Sequence, residues 1–321
     1  FETIKNTTAS KTVKISALTQ IGDAYQDVGQ FKKAIGFYDK VLTDFPDSPY
    51  IDYVQYRQGI ALLKMEEIEA ATLSFQSLQT NFPTSKYLND INYYLAVAYF
   101  KKEDWRTTKE YINDFIQGLP QANNFLAEAH YILGLSHYNL QEYKEVLKVF
   151  QTILQDFSDE TALVRNAELY IAKCDYEMGF PQEALQKFQV LVDKYPKSKV
   201  SEEALMWLGD YYLESSDFDN AIANYKKYIE SFPGSKNLSL IYYELGRAHQ
   251  AKDEYDLAVS AFKHIDDSLD KELFEKAKLA IADIFSRDLD SESAIQTYEN
   301  IINTSPEFKR NAYIRIANIH S

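Results

Sequence analysis

The sequence predicts an all-α solenoid of stacked antiparallel helix pairs, and three observations carry that prediction. Small residues recur at a nearly fixed interval. Gly22, Gly59, Ala96, Gly134, Ala172, Gly209, Gly246, Ala282 and Ala317 are 37, 37, 38, 38, 37, 37, 36 and 35 residues apart. With that residue as position 8, position 20 reads Ala34, Ala71, Thr108, Val146, Ala184, Ala221, Ala258 and Ala294. Position 24 reads Tyr38, Phe75, Ile112, Phe150, Phe188, Tyr225, Phe262 and Tyr298. A period of this length marks units that bury their apolar faces only by stacking on their neighbours.

Each element follows from that register. Position 7 is Ile21, Leu95, Leu133, Ile171, Leu208, Leu245 and Ile281, with Gln58 the exception, and gives the first helix its packing face. Small residues at 8 and 20 let two helices approach closely, and the bulky side chain at 24 fills the space beside them. Position 32 is proline in six of eight repeats, Pro46, Pro83, Pro120, Pro196, Pro233 and Pro306, which cannot continue a helix. First helices are expected at 15–28, 51–64, 88–101, 125–139, 162–177, 200–214, 237–251 and 273–286. Second helices are expected at 31–44, 68–81, 105–118, 143–156, 181–194, 218–231, 255–266 and 291–303.

This register resembles the tetratricopeptide repeat over essentially the whole chain. The extra three or four residues follow the proline, as in "FPDSPYIDYVQYRQG" and "YPKSKVSEEALMWLG". The longer form, with its Tyr/Phe-Pro-x-Ser junction, is similar to that of bacterial outer-membrane assembly lipoproteins and Tol–Pal accessory proteins. The resemblance implies a right-handed superhelix whose concave groove holds a partner, with a periplasmic or cell-envelope location.

The domain reading is a single array over 1–321. Residues 1–9 are the end of a preceding repeat, because "FETIKNTT" aligns with "YENIINTS" at 298–305. Eight full repeats span 10–309, and 310–321 form the first helix of a ninth. With no polar cap at either end, the chain reads as part of a larger protein or complex.

Composition narrows the partner class. The net charge of −14 argues against a nucleic-acid backbone or an anionic membrane surface. No apolar run approaches the roughly 18 residues that span a bilayer, so direct membrane insertion is not expected. The single cysteine excludes an internal disulfide framework. There is no phosphate-binding glycine loop, Cys-x-x-Cys pair or His-Glu-x-x-His, so no catalytic residue, metal or cofactor is assigned. "GLSHY" at 134–138 lacks the second glycine of a nucleophile elbow. His130 and His137 fall at packing positions 4 and 11. Cys174, at position 10, reads as a small core residue, and Trp105, at position 17, as the anchor of a second helix.

One face carries the functional expectation. Positions 5, 9 and 12 of the first helix share an i, i+4, i+7 face, which lines the groove in the tetratricopeptide superhelix. In repeats 2, 3 and 4 they are Tyr56, Ile60, Leu63; Tyr93, Val97, Phe100; and Tyr131, Leu135, Tyr138. Tyr176 extends the set into repeat 5. These ten residues are the expected groove, for a protein or peptide segment with apolar anchors. Burial of the same face between repeats is the competing reading. Asp210, Glu214, Glu203 and Glu177 read as a solvated face that could select a basic segment. The function expected is a non-catalytic scaffold or adaptor in an envelope assembly; the alternative is a docking or regulatory module of a larger enzyme or signalling protein.

Overall fold

The computed structural model describes residues 10–118, 124–266, 270–287, 291–304 and 308–319. Among these there are seventeen α-helices and no strand. In order they are α1 (Lys11–Asp27), α2 (Phe31–Asp44), α3 (Ile51–Lys64), α4 (Ile68–Asn81), α5 (Leu88–Lys101), α6 (Trp105–Gln117), α7 (Leu126–Asn139), α8 (Tyr143–Asp156) and α9 (Thr161–Glu177). They continue with α10 (Pro181–Lys194), α11 (Lys199–Glu214), α12 (Phe218–Ser231), α13 (Leu238–Ala251), α14 (Tyr255–Phe262), α15 (Lys271–Arg287), α16 (Ser291–Thr304) and α17 (Lys309–Ile319). The protein is an all-α solenoid, each repeat an odd-numbered helix followed by an even-numbered one. By internal contacts it forms two compact units, Phe1–Cys174 and Asp175–Ser321.

The core follows the repeat register. All eight residues at position 20 are fully buried, and position 24 is buried in all eight repeats. At Gly59 an added Cβ would lie 2.4 Å from Cε1 of Phe75, and at Gly134 2.2 Å from Cε1 of Phe150. The glycine is therefore where the ring of the second helix meets the backbone of the first.

The turn inside each repeat is also periodic. Position 15 has a positive φ in the first seven repeats, at Gly29, Glu66, Glu103, Gln141, Gly179, Ser216 and Asp253. The next amide reaches back five residues, as in Glu67 N–H to Leu62 O at 3.0 Å and Glu142 N–H to His137 O at 2.9 Å. This left-handed cap satisfies carbonyls that the ending helix leaves open.

Between repeats, the Phe/Tyr-Pro-x-Ser sequence closes a turn. Ser48, Ser85, Ser198 and Ser235 donate their amides to Phe45, Phe82, Tyr195 and Phe232 at 3.0–3.2 Å. Proline is not required to end the helix: α8 stops at Asp156 before Phe157-Ser158, with backbone angles at Phe157 (φ −127°, ψ 36°) close to those at Phe45 (φ −138°, ψ 52°). After α8 the turn closes even without the junction serine, through Glu160 N–H to Phe157 O at 3.0 Å, but in repeat 7 the register fails. The expected helix at 255–266 ends at Phe262, and a tighter turn, Ile265 N–H to Phe262 O, tucks Ile265 into the core. The first helix starts earlier than expected, at Lys11, because Ser10 caps it by accepting from the Val13 amide. The expected partial repeat at 1–9, Pro120 and Pro306 lie outside the described residues.

Candidate partner-binding site

The first helices of repeats 2–4 are α3, α5 and α7, and they do not present the predicted set uniformly. Ile60 and Val97, at position 9, are half-buried against the cluster of Phe75, Leu78 and Leu95. Leu135 is half-buried as well. Phe100 meets Trp105 edge-on, with ring centres 5.0 Å apart. Tyr131 tilts against Phe150, and Tyr138 lies edge-on to Tyr143 and Tyr170. In the second unit, Tyr176 meets Trp207 edge-on at 5.0 Å.

Two members of the predicted face are core residues instead. Leu63 is 6% exposed and Tyr93 is 7% exposed. The cause is the next repeat. Tyr93 stacks on Phe125 at 4.6 Å and donates its hydroxyl to Glu128 at 2.7 Å. Tyr56 repeats the arrangement: it stacks on Tyr87 at 4.7 Å, and its hydroxyl lies 3.4 Å from Asp90. Position 5 thus joins a ring at position −1 and a carboxylate at position 2 of the following repeat. Burial, reinforced by these neighbours, raises the ionisation of both tyrosines above the ordinary range. This lock escaped the sequence reading, although a ring and an acid three residues apart, Tyr87/Asp90 and Phe125/Glu128, are legible signals.

The other singled-out residues have local roles. His130 points Nδ1 at the carbonyl of Leu126, 2.8 Å away, and packs on Phe157. His137 pairs with Glu142 at 2.5 Å, and Lys109 approaches the same oxygen. Cys174 is fully buried. Trp105 opens α6 and packs on Phe100. Asp210 departs from the solvated reading: it accepts the hydroxyl of buried Tyr225 at 2.7 Å. No described helix is long and apolar enough to cross a membrane.

Comparison with known proteins agrees with this architecture. A tetratricopeptide repeat protein of Parabacteroides merdae superposes with a TM-score of 0.57 at 18% identity, covering 82% of this chain and 98% of that one. The C-terminal part of a tetratricopeptide-repeat protein from Cytophaga hutchinsonii gives 0.63 at 17% identity, covering 79% and 97%. At these identities the likeness shows the fold alone. None of the curated proteins compared matches the chain. The sequence profile of a tetratricopeptide repeat matches residues 16–48. Because the profile described as outer membrane lipoprotein, YfiO, matches residues 52–167 and 164–319, the chain belongs to the YfiO family.

Proposed function

We propose that the protein is a non-catalytic scaffold that holds an extended or helical segment of another protein along the first helices of repeats 2–4. The observation that carries this reading is position 9. Ile60, Val97 and Leu135 are apolar and half-exposed there, whereas repeats 1, 5, 6, 7 and 8 place Asp23, Lys173, Asp210, Arg247 and Asp283. Lys173 and Arg247 stand at this position beside a phenylalanine at position 24, so that ring does not need an apolar partner there, and three apolar residues in succession point to an external apolar contact. Tyr56, Phe100, Tyr131 and Tyr138 flank them, and Tyr176 is assigned to the same role in repeat 5. The family description supports an envelope assembly at the outer membrane as the setting.

Photo-crosslinking side chains placed at 60, 97 and 135 in the native cell test the reading. They should trap one and the same protein, while the exposed second-helix positions 110 and 151 should not. Equal trapping from both sets would discard the proposed face.

A further inference from the structure

Three repeats place a tyrosine at position 24 and, in each, an aspartate at position 9 accepts its hydroxyl. The pairs are Tyr38 with Asp23 at 2.8 Å, Tyr225 with Asp210 at 2.7 Å, and Tyr298 with Asp283. The other five repeats have phenylalanine or isoleucine at 24 and no acid at 9. The reason is physical: a buried phenol needs an acceptor, and a buried phenyl ring does not.

The aspartate that serves the phenol is then itself a partly buried charge. In two of the three cases position 6 of the next repeat supplies an arginine. Arg57 Nε lies 3.1 Å from Asp23, and Arg315 Nη1 lies 2.7 Å from Asp283. In the third case position 6 is Glu244, on α13. The place that holds a guanidinium twice elsewhere holds a second carboxylate here.

The surroundings do not make up the difference. Asp210 accepts the Tyr225 hydroxyl and is within electrostatic reach of Glu214 and Arg247; Glu244 bonds to Arg247 and is within electrostatic reach of Asp210. Arg247 bonds to Glu244 at 2.6 Å, but its side chain is 52% exposed and it is the one cation among three acids. Burial raises both Asp210 and Glu244 above the usual carboxylate range; the Tyr225 hydroxyl and Arg247 pull Asp210 back and Arg247 pulls Glu244 back, while Glu214 adds to the rise at Asp210 and Asp210 to that at Glu244. Acidic residues alone would not identify a ligand; the two filled copies of the same tyrosine–aspartate arrangement do.

We propose that the Asp210–Glu244 site, between α11 and α13, receives an arginine side chain from a partner segment, in the place that Arg57 and Arg315 fill from within the chain. A planar guanidinium suits two carboxylates better than an ammonium does, because it offers several donors in a fixed plane. The site involves none of the residues assigned to partner contact in repeats 2–4, so its test stands or falls separately from that reading.

The test is a titration of the full chain with N-acetyl-arginine amide, followed by NMR of side-chain carboxyl carbons, with the neutral isostere N-acetyl-citrulline amide as control. Asp210 and Glu244 should shift saturably with the arginine compound and not with citrulline. Glu244→Arg should weaken that response at least about tenfold and raise the thermal midpoint, because the site is then filled internally. Glu183→Arg makes the same charge change at an exposed position of α10 and should leave the response intact. Asp210→Asn should weaken it without filling the site. A uniform, non-saturating drift of all carboxylates, an equal response to citrulline, or an undiminished response in Glu244→Arg would each overturn the proposal.

Discussion

Tyr93 and Tyr131 stand at the same position of consecutive repeats, yet the structure uses them differently. Tyr93 is locked into the following repeat by Phe125 and Glu128. Tyr131 is half-buried and tilts against Phe150 within its own repeat, and the next repeat places Leu163 and Asn166 where the ring and the acid would be. Identity at one position therefore does not fix a role. The role depends on what the neighbouring repeat brings to positions −1 and 2, which lie more than thirty residues away in sequence.

That contrast can be broken most directly at Tyr93. Tyr93→Ala should cost about 3–5 kcal/mol, as for other large buried rings, while Tyr131→Ala should cost about 1–2 kcal/mol. Urea unfolding of the two variants side by side checks this, and equal losses would erase the distinction. Removing only the hydroxyl is milder. Tyr93→Phe removes the bond to Glu128, whose exposed carboxylate then turns to water, and should cost about 0.5–1 kcal/mol.

Grafting the lock sharpens the comparison from the other side. Leu163→Phe with Asn166→Glu gives repeat 5 the ring and acid that Tyr56 and Tyr93 meet, and should add about 0.5–1 kcal/mol. Hydrogen exchange at the α7 and α9 amides would report it as slower opening.

The phenols that bridge repeats also set an alkaline limit. Burial, followed by the hydrogen bond to Asp23, pushes the ionisation of Tyr53 up to about 12 from the 10.0 of an ordinary tyrosine. A group raised in the folded state stabilises it fully below the unfolded value and ceases to do so above the folded one. Stability should therefore fall between about pH 10 and about pH 12, and Tyr53→Phe should flatten that part of the curve measured by circular dichroism. The smallest effect on folding is expected at the proposed contact face. Leu135→Lys should change stability by less than about 1 kcal/mol, because repeats 5 and 7 place Lys173 and Arg247 at this position beside a phenylalanine at position 24, yet it should abolish crosslinking from positions 60 and 97.

The helix pairs, their boundaries to within a few residues and the core at positions 8, 20 and 24 were legible in the sequence. These depend on contacts inside one repeat, where 3.6-residue periodicity and close helix approach act locally. The early end of α14 was not legible: "FKHIDDSLDKEL" lacks both the proline and the serine of the junction, but so does "FSDE" after α8, where the second helix keeps its length. The face formed by positions 5, 9 and 12 was only half legible. Its apolar character could be counted, but Leu63 and Tyr93 face the next repeat, and which residues do so depends on how one repeat packs against the next.

By itself, then, the sequence determined the class of fold, the register and the residues that join two helices of one repeat. The tertiary structure decided which side chains of that register join one repeat to the next. It placed Tyr93 on Phe125 and Glu128, Arg57 on Asp23, and Arg315 on Asp283. Pattern within a repeat is set by helix geometry, which is the same everywhere. Contact between repeats is set by pairs of residues some thirty positions apart, whose chemistry differs from one junction to the next and becomes paired only when the helices stack.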